Sequence, residues 1–113
     1  MKIQEIVNLL NATVITKEID LDTEVHTACG SDMMSDVLAY VKNQAVLVTG
    51  LNNPQVIRTA EMMDMVCVVY VRGKQPDAMS IRLATEKGIC VLTTEIPMFA
   101  CCGILYSNGL RGA

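Results

Sequence analysis

Tryptophan is missing from this 113-residue chain, and one phenylalanine and three tyrosines are its whole aromatic complement. Positive charge is thin as well: nine Lys and Arg, dispersed along the chain, stand against twelve Asp and Glu and leave a net charge of −3. A nucleic-acid surface needs a basic stripe or stacking rings, so both shortages point away from DNA and RNA. No apolar run is longer than Met65 to Val71, far short of a membrane span, and Met1-Lys-Ile-Gln-Glu-Ile lacks the basic-then-apolar profile of a signal peptide. A cytoplasmic protein without a membrane partner is expected.

The catalytic signatures are absent too. There is no Gly-x-Ser-x-Gly elbow, and the string nearest to a phosphate-binding loop, Arg72-Gly-Lys-Gln-Pro76, lacks the hydroxyl that holds magnesium. Five cysteines (Cys29, Cys67, Cys90, Cys101, Cys102) are odd in number and form no Cys-x-x-Cys, so buried thiols acting as small hydrophobes are expected, with neither disulfides nor a metal. Cys101 and Cys102 would point about 100° apart on a helix, which serves one ion poorly. His26 is the only histidine, and a strand period of two sets it on the face opposite Cys29. Asp20-x-Asp22-x-Glu24 has calcium-like spacing without the glycine and distal glutamate of an EF-hand. Asp32 and Asp36, one turn apart, read first as a helix-capping residue and a solvated one. No catalytic residue, metal or cofactor is assigned.

What the chain does have is a repeated strand-to-helix switch. In Val46-Leu-Val-Thr-Gly-Leu-Asn-Asn-Pro54 a buried strand leaves through Gly50, Asn52 or Asn53 can cap, and Pro54 suits a first helical turn. Val66 to Val71 repeats this through Gly73 into Gln75-Pro76-Asp77, and Ile89 to Leu92 through Thr93-Thr94-Glu95 towards Pro97. The three prolines are thus spaced by 22 and 21 residues. Upstream, Ile3, Ile6, Val7 and Leu10 predict an amphipathic helix over 2–11, Ala12 to Thr16 a short strand, and Thr23 to Cys29 another. A helix follows with Met34, Val37, Leu38 and Val41 inward. The later helices should bury Val56, Ile57, Ala60 and Met63, and then Ala78, Met79, Ile81 and Leu83. With 51% hydrophobic residues the chain can build one real core. The expectation is a single domain, 1–113, of α/β class: a three-layer α/β/α arrangement around a largely parallel or mixed sheet of about five strands.

Pro97 to Tyr106 is apolar nearly all round, which a small monomer's surface helix cannot be, so helix 97–107 is either wrapped by the fold or buried between two copies, and a homodimer is the favoured expectation. Asn108-Gly109 stops it, and Arg111 to Ala113 should fray. In open α/β sheets ligands sit beyond the carboxyl ends of the strands, where helix N-termini present free amides. Those ends carry Ser31 and Asp32; Thr49, Gly50, Asn52 and Asn53; Arg72, Gly73 and Lys74; and Thr93 and Thr94. Thr, Asn, Gly and two cations suit a nucleotide or another small phosphorylated anion.

Ser31-Asp-Met-Met-Ser-Asp-Val-Leu38, Val48-Thr-Gly50, Tyr70-Val-Arg-Gly-Lys-Gln-Pro-Asp77 and Met98-Phe-Ala-Cys-Cys-Gly-Ile-Leu-Tyr106 together resemble the DRTGG domain family over essentially the whole chain. The resemblance implies a fold similar to the N-terminal domain of HPr kinase/phosphorylase, and a regulatory, dimer-forming role without catalysis. It also implies, as the alternative, an interaction subunit partnering a redox enzyme of iron hydrogenase type. The family's acidic-basic pair would fall near Asn52-Asn53 and its Thr-Gly-Gly near Val71-Arg72-Gly73, where only the last glycine matches.

Overall fold

The computed structural model describes residues 1–40 and 44–112. Its backbone forms α1 (Ile3–Leu10), β1 (Thr13–Val14), β2 (Thr27–Gly30), α2 (Met34–Tyr40), β3 (Ala45–Thr49), α3 (Gln55–Met62), β4 (Cys67–Tyr70), α4 (Ala78–Lys87), β5 (Cys90–Thr93), α5 (Met98–Ser107) and β6 (Arg111–Gly112). The six strands lie side by side in the order β1-β5-β4-β3-β2-β6. All neighbours pair in parallel except β1, which runs antiparallel to β5 through Thr13–Thr93 and Val14–Leu92.

Strand order explains the layers. From β2 to β5 the chain steps in one direction, so right-handed crossovers put α2, α3 and α4 on the same face. After β5 it turns back across the whole sheet to β6, which carries α5 to the other face beside α1. The two cores divide the strands by alternation. Val46, Val48, Cys67, Val69, Cys90 and Leu92 face α1 and α5, whereas Ala45, Leu47, Val68, Tyr70 and Val91 face α2, α3 and α4. Covered on both sides, β3, β4 and β5 are buried at every residue, which is why they read as unbroken apolar runs.

The three-layer α/β/α architecture is as expected from the sequence; several details are not. The sheet has six strands where about five were expected. The sixth, Arg111–Gly112, is the segment expected to fray; it pairs with Thr27 and Ala28 because α5 delivers it beside β2. Ala113 lies outside the described residues. The strand expected from Thr23 begins only at Thr27, because the preceding residues pair with the start of the chain: Val25 N donates to Met1 O at 2.7 Å and Glu24 bridges Lys2. Asp20 is used locally, its Oδ1 accepting from the Asp22 amide at 2.9 Å.

Two helix faces also differ. Leu38 is 39% exposed, leaving Met34 and Val37 as the buried side of α2, while Val41 lies outside the described residues. In α4, Met79 is 54% exposed and Ala78 is exposed, Ile81 and Leu83 are half-buried, and the residues that vanish into the core are Ser80 and Ala84. Small side chains let α4 approach the sheet closely, so its inner face is not its most hydrophobic one.

Helix starts follow their local chemistry. Asp77 caps α4 by accepting from the Ser80 amide at 2.7 Å, and Asn53 Oδ1 accepts from Gln55 N at 3.0 Å before α3. The bonds from Ser80 hold the Asp77 carboxyl below the ordinary aspartate value. A folded-state pKa lowered in this way contributes stability above the unfolded value and loses it as pH falls through the folded one. Acidification below the ordinary aspartate range should therefore lower the urea midpoint, and Asp77→Asn should flatten that acid limb; an unaltered limb in the variant would refute the role.

Candidate nucleotide site at the carboxyl edge of the sheet

The carboxyl ends of β2, β3, β4 and β5 share one edge, and the loops leaving them shape two depressions. The larger, about 310 Å³, is bounded by Asp32 after β2, Gly50 after β3, Val71 and Arg72 after β4, and Pro97, Met98 and Phe99 at the start of α5. The smaller, about 130 Å³, lies towards β1 and is lined by Asn11, Thr13, Gly73, Gln75, Thr93, Thr94 and Glu95. The turn at Arg72 and Gly73 separates them.

That turn is tightly specified. Lys74 N donates to Val71 O at 3.0 Å, and both central residues have positive φ, 54° at Arg72 and 70° at Gly73. Glycine suits the second position because of its positive φ; a Cβ there would also push aside the exposed Glu95 carboxylate, whose Oε2 would lie 2.7 Å away. Arg72 N bonds Ile96 O at 3.1 Å and Gly73 N bonds Thr94 O at 2.9 Å, so the turn is clamped to the loop entering α5. Arg72 is thereby fixed on the rim of the larger cavity although its side chain is exposed.

Asp32 does not act as its spacing suggested. It precedes α2, and no bond from it to the first turn is among its contacts; Ser31 forms a local turn ahead of the helix, its Oγ accepting from Met33 N at 2.9 Å. Asp32 reaches across to the next strand, where its Oδ1 accepts from Thr49 Oγ1 at 3.0 Å and from Gly50 N at 2.7 Å. One carboxylate oxygen thus ties β2 to β3; these two bonds use Oδ1 alone, and Asp32 also lines the larger cavity. Thr49 Oγ1 in turn accepts from Leu51 N at 3.1 Å.

The eleven candidates therefore separate by position. Asp32, Gly50 and Arg72 meet at the larger cavity, and Gly73, Thr93 and Thr94 line the smaller one. Thr94 is already engaged, its hydroxyl donating to Leu10 O at 2.8 Å. Ser31, Thr49 and Asn53 serve the turns just described, Asn52 Nδ2 donates to Gln75 O at 3.1 Å, and Lys74 borders neither depression. Sequence reasoning left out Pro97, Met98 and Phe99. The signal available for them was Pro97, which opens α5 at the same edge as the other switches. Phe99 is 92% exposed beside the cavity, and Pro97 gives α5 no side-chain cap, so an uncapped helix N-terminus borders it as well.

The groups an acid–base or thiol mechanism would need do not converge. His26 lies before β2 and Asp32 after it, at opposite ends of the sheet. Burial pushes the Cys29 and Cys102 thiols up, and Cys101, with Cys102 beside it, rises to about 11. Cys67 and Cys90 are register partners on adjacent strands, and the Cys67 thiol is held well above its ordinary value by its bond to Cys90 and by burial. The raised thiols, Cys29, Cys67, Cys101 and Cys102, stay protonated at neutral pH and behave as small hydrophobes.

The DRTGG domain profile matches residues 5–105. The chain belongs to the DRTGG domain family. The DRTGG fold is seen again in a crystal structure of the CBS and DRTGG domains of the regulatory region of Clostridium perfringens pyrophosphatase, solved with its activator diadenosine tetraphosphate. This chain is similar to it with a TM-score of 0.77 and 16% sequence identity over 92% of its own length. It spans 45% of that longer chain. No curated protein matches. Among the described residues, no helix of this DRTGG domain is long and apolar enough to cross a membrane.

Proposed function

We propose that this DRTGG domain is a non-enzymatic regulatory module that senses a nucleotide or a related phosphorylated anion in the larger cavity at the carboxyl edge. The observation that carries this reading is the company the cavity keeps. Arg72 and the uncapped start of α5 offer a phosphate cationic and amide donors, Asp32 Oδ2 can accept from a ribose hydroxyl or a base amino group, and Phe99 offers a ring for stacking. The activator-bound DRTGG-containing neighbour supports the same ligand class, since a regulatory region sharing this fold responds to a dinucleotide.

A thermal-shift panel of mono- and dinucleotides, with diadenosine tetraphosphate included, tests it. A true ligand at a hundredfold excess over Kd stabilises by about 2.7 kcal/mol. Arg72→Ala should weaken a hit by about tenfold or more, as loss of a charged hydrogen bond does. Lys74→Ala, which removes a cation outside the cavity, should change it little. A panel without shifts, or equal losses in the two variants, would overturn the assignment.

The module is proposed to work as a homodimer joined through α5. Phe99, Gly103 and Tyr106 recur along one exposed stripe of that helix, and Phe99 and Tyr106 are 92% and 61% exposed. Light scattering at micromolar concentration should report a dimer and Phe99→Glu a monomer; a monomeric parent protein would remove this part of the proposal.

A further inference from the structure

Beside α5 lies a second cavity, of about 150 Å³, lined by none of the residues of the nucleotide candidate. The sheet contributes only small residues to it besides Val48, namely Ala28 and Gly30 on β2 and Gly112 on β6, which leave room that larger side chains would fill. The close approach comes at a single point, where a Cβ on Gly30 would lie 2.6 Å from Cys102 Sγ. Val48, Leu105 and Leu110, all buried, supply the aliphatic walls.

Arg111 carries the one charge on this lining. Its Nη1 donates to Tyr106 O at 2.9 Å, and its guanidinium carbon sits 4.3 Å from the centre of the Tyr106 ring. The side chain is therefore held at the rim by two contacts that use only one of its five N–H donors. No carboxylate among the described residues forms an ion pair with it. A compact apolar pocket with a positioned guanidinium at its mouth, unpaired among the described residues, has a definite complement.

We infer that this cavity binds a small carboxylic acid with a compact hydrocarbon body, of the benzoate or branched short-chain kind, its carboxylate on Arg111 and its body against Val48, Leu105 and Leu110. Size agrees, since an aliphatic cavity of roughly 150 Å³ admits a benzene-sized group. A guanidinium fork matches a carboxylate in shape as well as charge, which selects the acid over a neutral molecule of the same bulk. The site shares no lining residue with the nucleotide candidate, so the two proposals stand or fall separately.

The test is a titration of ¹⁵N-labelled protein with benzoate, 3-methylbutanoate and, as the neutral comparator, benzyl alcohol. Both acids should shift the amides of Ala28, Gly30, Cys102 and Gly112, with benzyl alcohol about tenfold weaker or more. Arg111→Gln, at an exposed position, should cost the acids about tenfold and leave the alcohol unchanged. Arg72→Ala should leave acid binding intact. In the unaltered protein, benzoate should also slow alkylation of Cys102 by iodoacetamide, mapped by mass spectrometry. Acids that move none of these amides and leave Cys102 unprotected overturn the site. Benzyl alcohol binding as tightly as benzoate, or acids indifferent to Arg111→Gln, overturns the carboxylate assignment.

Discussion

Leu47→Ala should cost about 2–5 kcal/mol, a large share of the roughly 5–15 kcal/mol by which a domain of this size is stable. Leu47 is fully buried on β3, flanked in register by Cys29 and Val68, and it belongs to the core shared with α2, α3 and α4. With helices over both faces of the strand, nothing nearby can collapse freely into the space left by three lost carbons. Most of the cavity cost should therefore persist. Urea unfolding should show a lower midpoint at an unchanged slope. Met79→Ala is the informative contrast: more than half exposed, it should stay within about 0.5 kcal/mol of the parent. Similar losses at both positions would mean that α4 turns its methionine inward, and the orientation built on Ser80 and Ala84 would be wrong.

Gly30→Ala is expected to cost about 1–3 kcal/mol, although alanine is ordinarily at ease in a strand. The backbone is not the obstacle; the new methyl would enter the space held by Cys102 Sγ, 2.6 Å away. Cys102 sits on a helix packed on the sheet, so its sulfur must change rotamer or α5 must shift to make room. Removing the sulfur should relieve the clash, so Cys102→Ala combined with Gly30→Ala should be more stable than the sum of the single changes by about 1 kcal/mol. Strict additivity in that cycle would show that the two residues do not oppose each other.

Both predictions concern parts of the fold that the sequence discloses unequally. The central strands are legible because burial on both faces makes them continuous apolar runs, and Val46 to Val48, Val66 to Val71 and Ile89 to Leu92 each locate one within a residue or two. Helix α1 is equally plain from its period, with Ile3, Ile6 and Leu10 buried as spaced. The face of α4 is not legible: a pattern of large apolar residues favours Met79, whereas the geometry favours small ones against the sheet. Asp32 is harder still. Its partners, Thr49 and Gly50, lie 17 and 18 residues further on, beyond any local pattern, so a residue that bridges two strands looks like half of a helical carboxylate pair. The candidate edge could be found by counting switches, because each strand delivers its loop to the same side. That α5 would lend Phe99 to the same cavity depended on its return across the sheet, which follows from strand order and not from any motif.

That return has one more effect, at the margins of the sheet. It places Arg111–Gly112 outside β2, while at the other margin Thr13–Val14, only two residues long, runs against the rest outside β5. A long flat parallel edge offers a row of open amides and carbonyls on which another chain can polymerise. Among the described residues β1 pairs with Thr93 and Leu92 and β6 with Thr27 and Ala28, so the hydrophobic middle strands β3 and β4, whose sequences would aggregate readily if uncovered, are not the outermost layer. The short antiparallel β1 thus works as a guard against fibrous self-assembly at its margin for a chain that is half hydrophobic.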